Sequence, residues 1–177
     1  MTTAQPNETE LNAFITQVRT LWTAQSPTDP ECAQQVAQLM RTWLTNTPPE
    51  AEWVQSLKQD EHPGRPLYTD AEHGFIQMSH YHAGHRSNSP HDHGPYWVAY
   101  GVLEGTVEIP LYAVNEDGKT CREIERHVLN PGDAIAYLPG QIHATRVPTD
   151  EPAVVLRFLS QDLSQVPRVR FKRDQIV

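Results

Sequence analysis

Two histidines set two residues apart, and a third well downstream, are the residues of this chain best suited to chemistry. Pro90-His91-Asp92-His93-Gly94 carries the pair, and Pro131-Gly132-Asp133-Ala134-Ile135-Ala136-Tyr137-Leu138-Pro139-Gly140-Gln141-Ile142-His143 ends on the third. In an extended strand, residues i and i+2 point to the same face. His91 and His93 can therefore both face inward, with Asp92 turned away. The second segment reads as a turn, a short strand, a second tight turn and a histidine entering the next strand. Where the two strands are neighbours, His143 completes a facial set of three. Such a set leaves coordination positions open for substrate and for O₂ or water, whereas a purely structural metal is usually closed by four protein ligands. Neutral imidazole suits iron, zinc, copper or nickel, so the ligand set alone does not choose the metal.

Placing those rings takes strands, and the second half of the chain supplies them. Segments 75–82, 96–103, 106–114, 122–129, 134–138, 144–147, 153–159 and 169–172 read as strands. Glu104-Gly105, Asn115-Glu116-Asp117-Gly118, Asn130-Pro131-Gly132-Asp133 and Pro139-Gly140 supply the turns. Many short strands at close spacing predict a barrel or sandwich.

The first sixty residues have a helical texture instead. Leu11, Phe14, Ile15, Val18, Leu21 and Trp22 recur at three and four residues, with Asn7 or Thr9 as the cap. Pro27-Thr28-Asp29-Pro30 ends this helix and starts a second, striped by Ala33, Val36, Ala37, Met40, Trp43 and Leu44. A third, short helix runs from Thr47-Pro48-Pro49-Glu50 to about Gln59 with Trp53, Val54 and Leu57 inward. His62-Pro63-Gly64-Arg65-Pro66 reads as a loop. The reading is a helical section, 1–60, too short for a large core of its own, packed outside a β-barrel over 61–177 as one structural domain.

The chain has 177 residues, a formal net charge of −8 and a pI near 5.5. An acidic protein is a poor partner for nucleic acid or an anionic membrane surface. No apolar run approaches the roughly 18 residues needed to span a bilayer. Met1-Thr2-Thr3-Ala4-Gln5-Pro6 lacks the basic and apolar regions of a signal peptide. Cys32 and Cys121 are the only cysteines, which points to a reducing, cytoplasmic setting.

The two histidine motifs resemble those of the cupin superfamily. His91-Asp92-His93, followed by Gly101 and Gly105, resembles its first motif, and Pro131-Gly132-Asp133…Pro139-Gly140…His143 its second. The resemblance implies a mainly β, double-stranded β-helix (jelly-roll) barrel. The order and spacing of the motifs argue against reading these as mere turn and surface histidines. Cupins usually add a ligand Glu four or five residues after the second His; Trp97 and Val98 stand there. Three His without Glu most resembles the thiol dioxygenases, the cysteine and mercaptopropionate dioxygenase group. Gly84-His85-Arg86-Ser87, Tyr68-Thr69 and Glu151-Pro152-Ala153-Val154 add to the likeness, which covers roughly 66–160. It implies Fe(II), with Zn, Ni, Cu or Mn as alternatives, and a small-molecule thiol or related sulfur compound oxidised by O₂ to a sulfinate.

The substrate side departs from that group. Asp70 stands where cysteine dioxygenase has the Arg that holds the substrate carboxylate. Its cross-linking Cys would fall at Val98, and its Ser-His-Tyr relay on Val155, Arg157 and Leu159. Arg157 is then either an inward guanidinium suited to a substrate carboxylate or an outward residue paired with an acid. Tyr96 or Trp97, close after the HxH pair, is expected to line the pocket. His80 and His82 share a strand face, and with His85 they either reach the cavity or are satisfied by hydrogen bonds. Arg168, Arg170, Lys172 and Arg173 read as a solvated basic edge. Two other readings stay open: a metal-dependent cupin of another reaction type, such as a diketone-cleaving dioxygenase or an isomerase, and a non-catalytic small-molecule binding barrel. Nothing in the sequence sets the oligomeric state.

Overall fold

The computed structural model describes residues 6, 8–24, 28–164, 166–167 and 169–173. Three helices come first: α1 (Glu8–Ala24), α2 (Pro30–Asn46) and α3 (Glu52–Asp60). Of the two cap candidates for α1, Asn7 lies outside the described residues and Thr9 sits inside the helix. Helix α2 starts on Asp29, whose carboxylate accepts a hydrogen bond from the Glu31 N–H, with Pro30 in the first turn where a missing N–H costs nothing. Helix α3 begins two residues beyond the predicted Glu50 and has no side-chain cap. Among the described residues no helix is long and apolar enough to cross a membrane.

Nine strands follow: β1 (Arg65–Thr69), β2 (Ile76–His82), β3 (Val98–Glu104), β4 (Val107–Val114), β5 (Thr120–Leu129), β6 (Ala134–Tyr137), β7 (Ile142–His143), β8 (Ala153–Leu159) and β9 (Lys172–Arg173). One sheet has the order β1-β2-β8-β3-β6 and the other β7-β4-β5-β9. An irregular segment, 87–93, joins the second sheet beside β7 through the bridges Ser87–Arg146 and His91–His143. Along the chain, β2, the 87–93 segment, β3, the β4–β5 hairpin, β6, β7 and β8 thus alternate between the sheets. That crossing pattern is the jelly-roll, a cupin-type double-stranded β-helix.

Strand β1 falls where the sequence suggests a loop. It is an edge strand of its sheet, and its register shifts between Pro66 and Tyr68. An edge or bulge is where proline is tolerated in a sheet. The HxH segment differs the other way: it is extended but makes only single bridges, because Pro90 and Pro95 cannot donate to a ladder.

Two cores lie on opposite faces of the first sheet. Outside, the helices bring Phe14, Trp22, Met40, Trp43 and Trp53 onto Phe75, Trp97, Leu156 and Phe158. Inside, Val98, Val102, Ile109, Leu111, Val155 and Leu159 fill the barrel. Gly101 lets α2 pack closely where it crosses β3: a Cβ there would meet Leu44 Cδ1 at 2.5 Å and push that side chain aside.

Candidate metal centre

Backbone pairing places the first and third histidines. His91 N–H donates to the His143 carbonyl and His143 N–H to the His91 carbonyl, both at 3.0 Å. Residues opposed in this way present their side chains to one face. His93 follows two residues later and turns the same way. The three rings form a nearly equilateral triangle, with centroids 4.9, 5.1 and 5.2 Å apart. One nitrogen from each lies within 4.8 Å of the others, and all three residues are buried.

Backbone carbonyls fix the tautomer of two of these rings. A carbonyl can only accept, so His91 Nδ1–H donates to the Ser89 carbonyl (2.9 Å) and His143 Nδ1–H to the Gln141 carbonyl (3.1 Å). Both rings therefore present Nε2 as the lone-pair atom, the outer-sphere arrangement that orients metal-binding imidazoles. Burial, with help from neighbouring His91, pushes His143 down to about 3. The donor set, three imidazoles with no carboxylate in the cluster, fits a divalent transition ion.

Tyr137 stacks on His143 at 4.7 Å and fixes the ring plane, while its hydroxyl meets His127 Nδ1 at 2.9 Å. Tyr100 comes from β3, and its hydroxyl lies 3.2 Å from His143 Nε2. Arg157 comes from β8, directly opposite Tyr100 in register. Its guanidinium lies over the Tyr100 ring, 5.6 Å from the centroid, and its Nη2 lies 3.4 Å from His93 Nε2.

A cavity of about 260 Å³ opens against this cluster. His91 is in its wall, and Tyr100 and Arg157 stand between it and the other two histidines. His80 and His82 line it too, their rings stacked 5.8 Å apart. His80 Nδ1–H donates to the Pro63 carbonyl at 2.6 Å, and its buried Nε2 has no hydrogen-bond partner among the described residues. Burial, reinforced by Arg157 for His80 and by His80 for His82, holds them near 4 and 3 respectively, so both are neutral at pH 7. Arg86 and Arg170 complete a lining that contains no acidic residue among the described residues.

His85 lies away from the cavity, exposed and paired with Asp150 at 2.7 Å. The pocket positions anticipated for Tyr96 and Trp97 are not where these residues sit. Trp97 is 1% exposed in the outer core, stacked on Phe158 at 5.4 Å. Tyr96 faces a separate small hollow with His73, Pro95 and Gln161. A turn closed by Tyr96 N–H on the His93 carbonyl, with Gly94 at φ +59, breaks the inward parity after His93. Inward positions resume at Val98, Tyr100 and Val102, so Tyr100 occupies the cavity wall. The alternation of β3 was the available signal for Tyr100. Arg170, read as part of a solvated edge, is exposed, as are Lys172 and Arg173 in the edge strand β9, but it also bridges to His91 and lines the cavity; Arg168 lies outside the described residues. Asp70 faces away from the cavity and binds Arg19 Nε at 2.7 Å, pinning α1 to the barrel.

No protein-family model matches the chain, and no curated protein matches it. Among solved structures, an oxalate oxidase in complex with the substrate analogue glycolate is similar at 15% identity and a TM-score of 0.43, over 55% of this chain and 46% of that one. An uncharacterised conserved protein with a double-stranded β-helix domain from Klebsiella pneumoniae aligns at 15% identity and a TM-score of 0.42, over 56% and 76% of the two chains. The DMSP lyase DddQ from Ruegeria pomeroyi aligns at 19% identity and a TM-score of 0.46, over 72% and 57%. The chain thus spans about half the length of the oxalate oxidase it matches. What characterises the site is its own geometry: three clustered imidazoles, one of them in the wall of a cavity that also carries Arg157.

Proposed function

We propose that this chain is a metal-dependent enzyme that uses O₂ to oxidise a small anionic thiol, or a related sulfur compound, to its sulfinate. The observation that carries this reading is the cluster of His91, His93 and His143, without a carboxylate, beside the guanidinium of Arg157. The three histidines would hold Fe(II), which when bound supplies the redox centre joining thiol and O₂. The reaction balances as RS⁻ + O₂ → RSO₂⁻: both oxygen atoms end on sulfur, which loses the four electrons that O₂ gains.

The chain's own residues bind and orient. Arg157 anchors the substrate's acid group, and the Tyr100 ring beneath the guanidinium keeps it in place. The Tyr100 hydroxyl, beside His143 Nε2, can hold a proton at the edge of the site. The buried Cys32 and Cys121 suit the reducing cytoplasm in which we place the protein.

The test is oxygen uptake by protein loaded anaerobically with Fe(II). Cysteine, mercaptopropionate, cysteamine and larger thiols form the panel, with diketones as controls. The expected result is uptake driven by one thiol class, one O₂ per thiol, with a sulfinate formed. No uptake with any thiol, despite one iron per chain, would overturn it. Uptake with a diketone instead would favour carbon–carbon cleavage, a reading encouraged by Val155 and Leu159 standing where thiol dioxygenases carry relay residues.

A further inference from the structure

The cavity is unusual for its charge. The chain is acidic, with a net charge of −8, yet among the described residues the lining holds three arginines, three histidines and no acid. Arg19, Arg65 and Arg126 pair with the carboxylates of Asp70, Asp60 and Glu123, while Arg41 and Arg173 donate to neutral oxygens. Among the described residues, Arg86, Arg157 and Arg170 form no ion pair.

These arginines also divide by position. Arg157 is part-buried beside the histidine cluster, and its buried Nε has no hydrogen-bond partner among the described residues. A desolvated, unmatched guanidinium is costly unless an anion completes it. Arg86 and Arg170 are exposed and arrive from separate segments, Arg86 from the loop after β2 and Arg170 from the C-terminal stretch that pairs with His91. Between the two sets, His80 and His82 form a wall that adds no negative charge. Low-dielectric walls focus such a field onto whatever enters.

We infer that the cavity takes a small molecule carrying two anionic groups, one seated on Arg157 beside the histidine cluster and the other held at the mouth by Arg86 and Arg170. This deepens the proposed function and rests on its identification of the cavity as the substrate site. The same charge arrangement disfavours an ammonium group in the cavity, so zwitterionic and cationic thiols are rejected relative to acidic ones.

Binding to the metal-free protein tests this apart from turnover. Succinate and glutarate would be titrated calorimetrically against propionate, with each variant's fold checked by circular dichroism. The dicarboxylates should bind roughly five- to tenfold more tightly than propionate. Arg86→Gln combined with Arg170→Gln, two exposed positions that do not threaten folding, should erase that preference and leave propionate binding as it was. Arg157→Gln should weaken both classes of ligand. Equal binding of mono- and dicarboxylates, or a preference that survives in the double variant, would overturn the inference. Oxygen uptake with a monoanionic thiol and no dicarboxylate preference would overturn it while sparing the dioxygenase reading. Dicarboxylate preference without thiol-driven uptake would support it and discard only the dioxygenase.

Discussion

Strand β8 separates two environments that share one backbone. On one face, Val154, Leu156 and Phe158 join the aromatic core beneath the helices, where Phe158 packs against Phe14, Trp22, Phe75 and Trp97. On the other, Val155 and Leu159 line the barrel interior, with Arg157 between them at the cavity. The outer face is dry and closely packed, and an aromatic cluster of that kind dominates folding energy. The inner face gives up apolar contact at one end to hold a guanidinium and a set of neutral imidazoles. The period of two in a strand lets a single seven-residue segment serve stability on one side and chemistry on the other.

If this division holds, changes on the two faces should have separable readouts. The largest effect is expected from His143→Ala. Metal content by plasma mass spectrometry should fall from one ion per chain to less than about a tenth, because two imidazoles hold an ion far less well than three. Full occupancy in this variant would remove His143 from the ligand set. Phe158→Ala should show the reverse pattern. Urea unfolding should report a loss of about 3–5 kcal/mol, with metal content of the folded fraction unchanged. Loss of metal by the folded variant would mean that the faces are not independent.

Asp70 tests how far the helices are pinned by polar contacts as well as by the aromatic core. Its carboxylate accepts from Arg19 and Tyr68 and from the backbone N–H groups of Glu72 and His73. Asp70→Ala should cost about 2 kcal/mol at pH 7. Burial by itself would raise this carboxyl, but the His73 N–H and the Arg19 guanidinium outweigh it and hold it below the usual range. A depressed acid contributes stability above its unfolded value, about 4, and loses it as pH falls through the folded value. Wild type and variant should therefore converge in acid; a gap that persists once the carboxyl is protonated in the folded state would place the effect in packing.

The smallest effect should come from the cavity wall. His80 and His82 are held near 4 and 3, below the unfolded value of about 6.5. The unfolded chain takes up protons first, so stability should fall on acidification from about pH 6.5 towards 4, by about 1 kcal/mol per pH unit per histidine. His143 is depressed likewise, so His82→Gln should flatten the slope by about a third. An unchanged slope would mean that water reaches this ring freely.

Much of the architecture was legible along the chain because it depends on local periodicity. The helical stripes of α1 and α2 and the strands β2, β4, β5 and β8 sit within a few residues of where the sequence suggests them. Asp29 and Pro30 mark the start of α2 through cap chemistry that needs no tertiary contact. Strand β1 was obscured by Pro63 and Pro66, since only the assembled sheet reveals that its place is an edge.

By itself, the sequence determined which residues alternate, where the chain turns and that two histidines share a face, because a strand's period of two and the backbone limits of glycine and proline act over a few residues. Tertiary structure decided what those faces meet. The turn at Gly94 shifted the inward parity so that Tyr100, and neither Tyr96 nor Trp97, reached the cavity. Arg86, Arg157 and Arg170 are strangers in sequence, and only the closed barrel brings their charges around one space. Parity survives only as long as a strand runs unbroken, and electrostatic fields add in space without regard to sequence order.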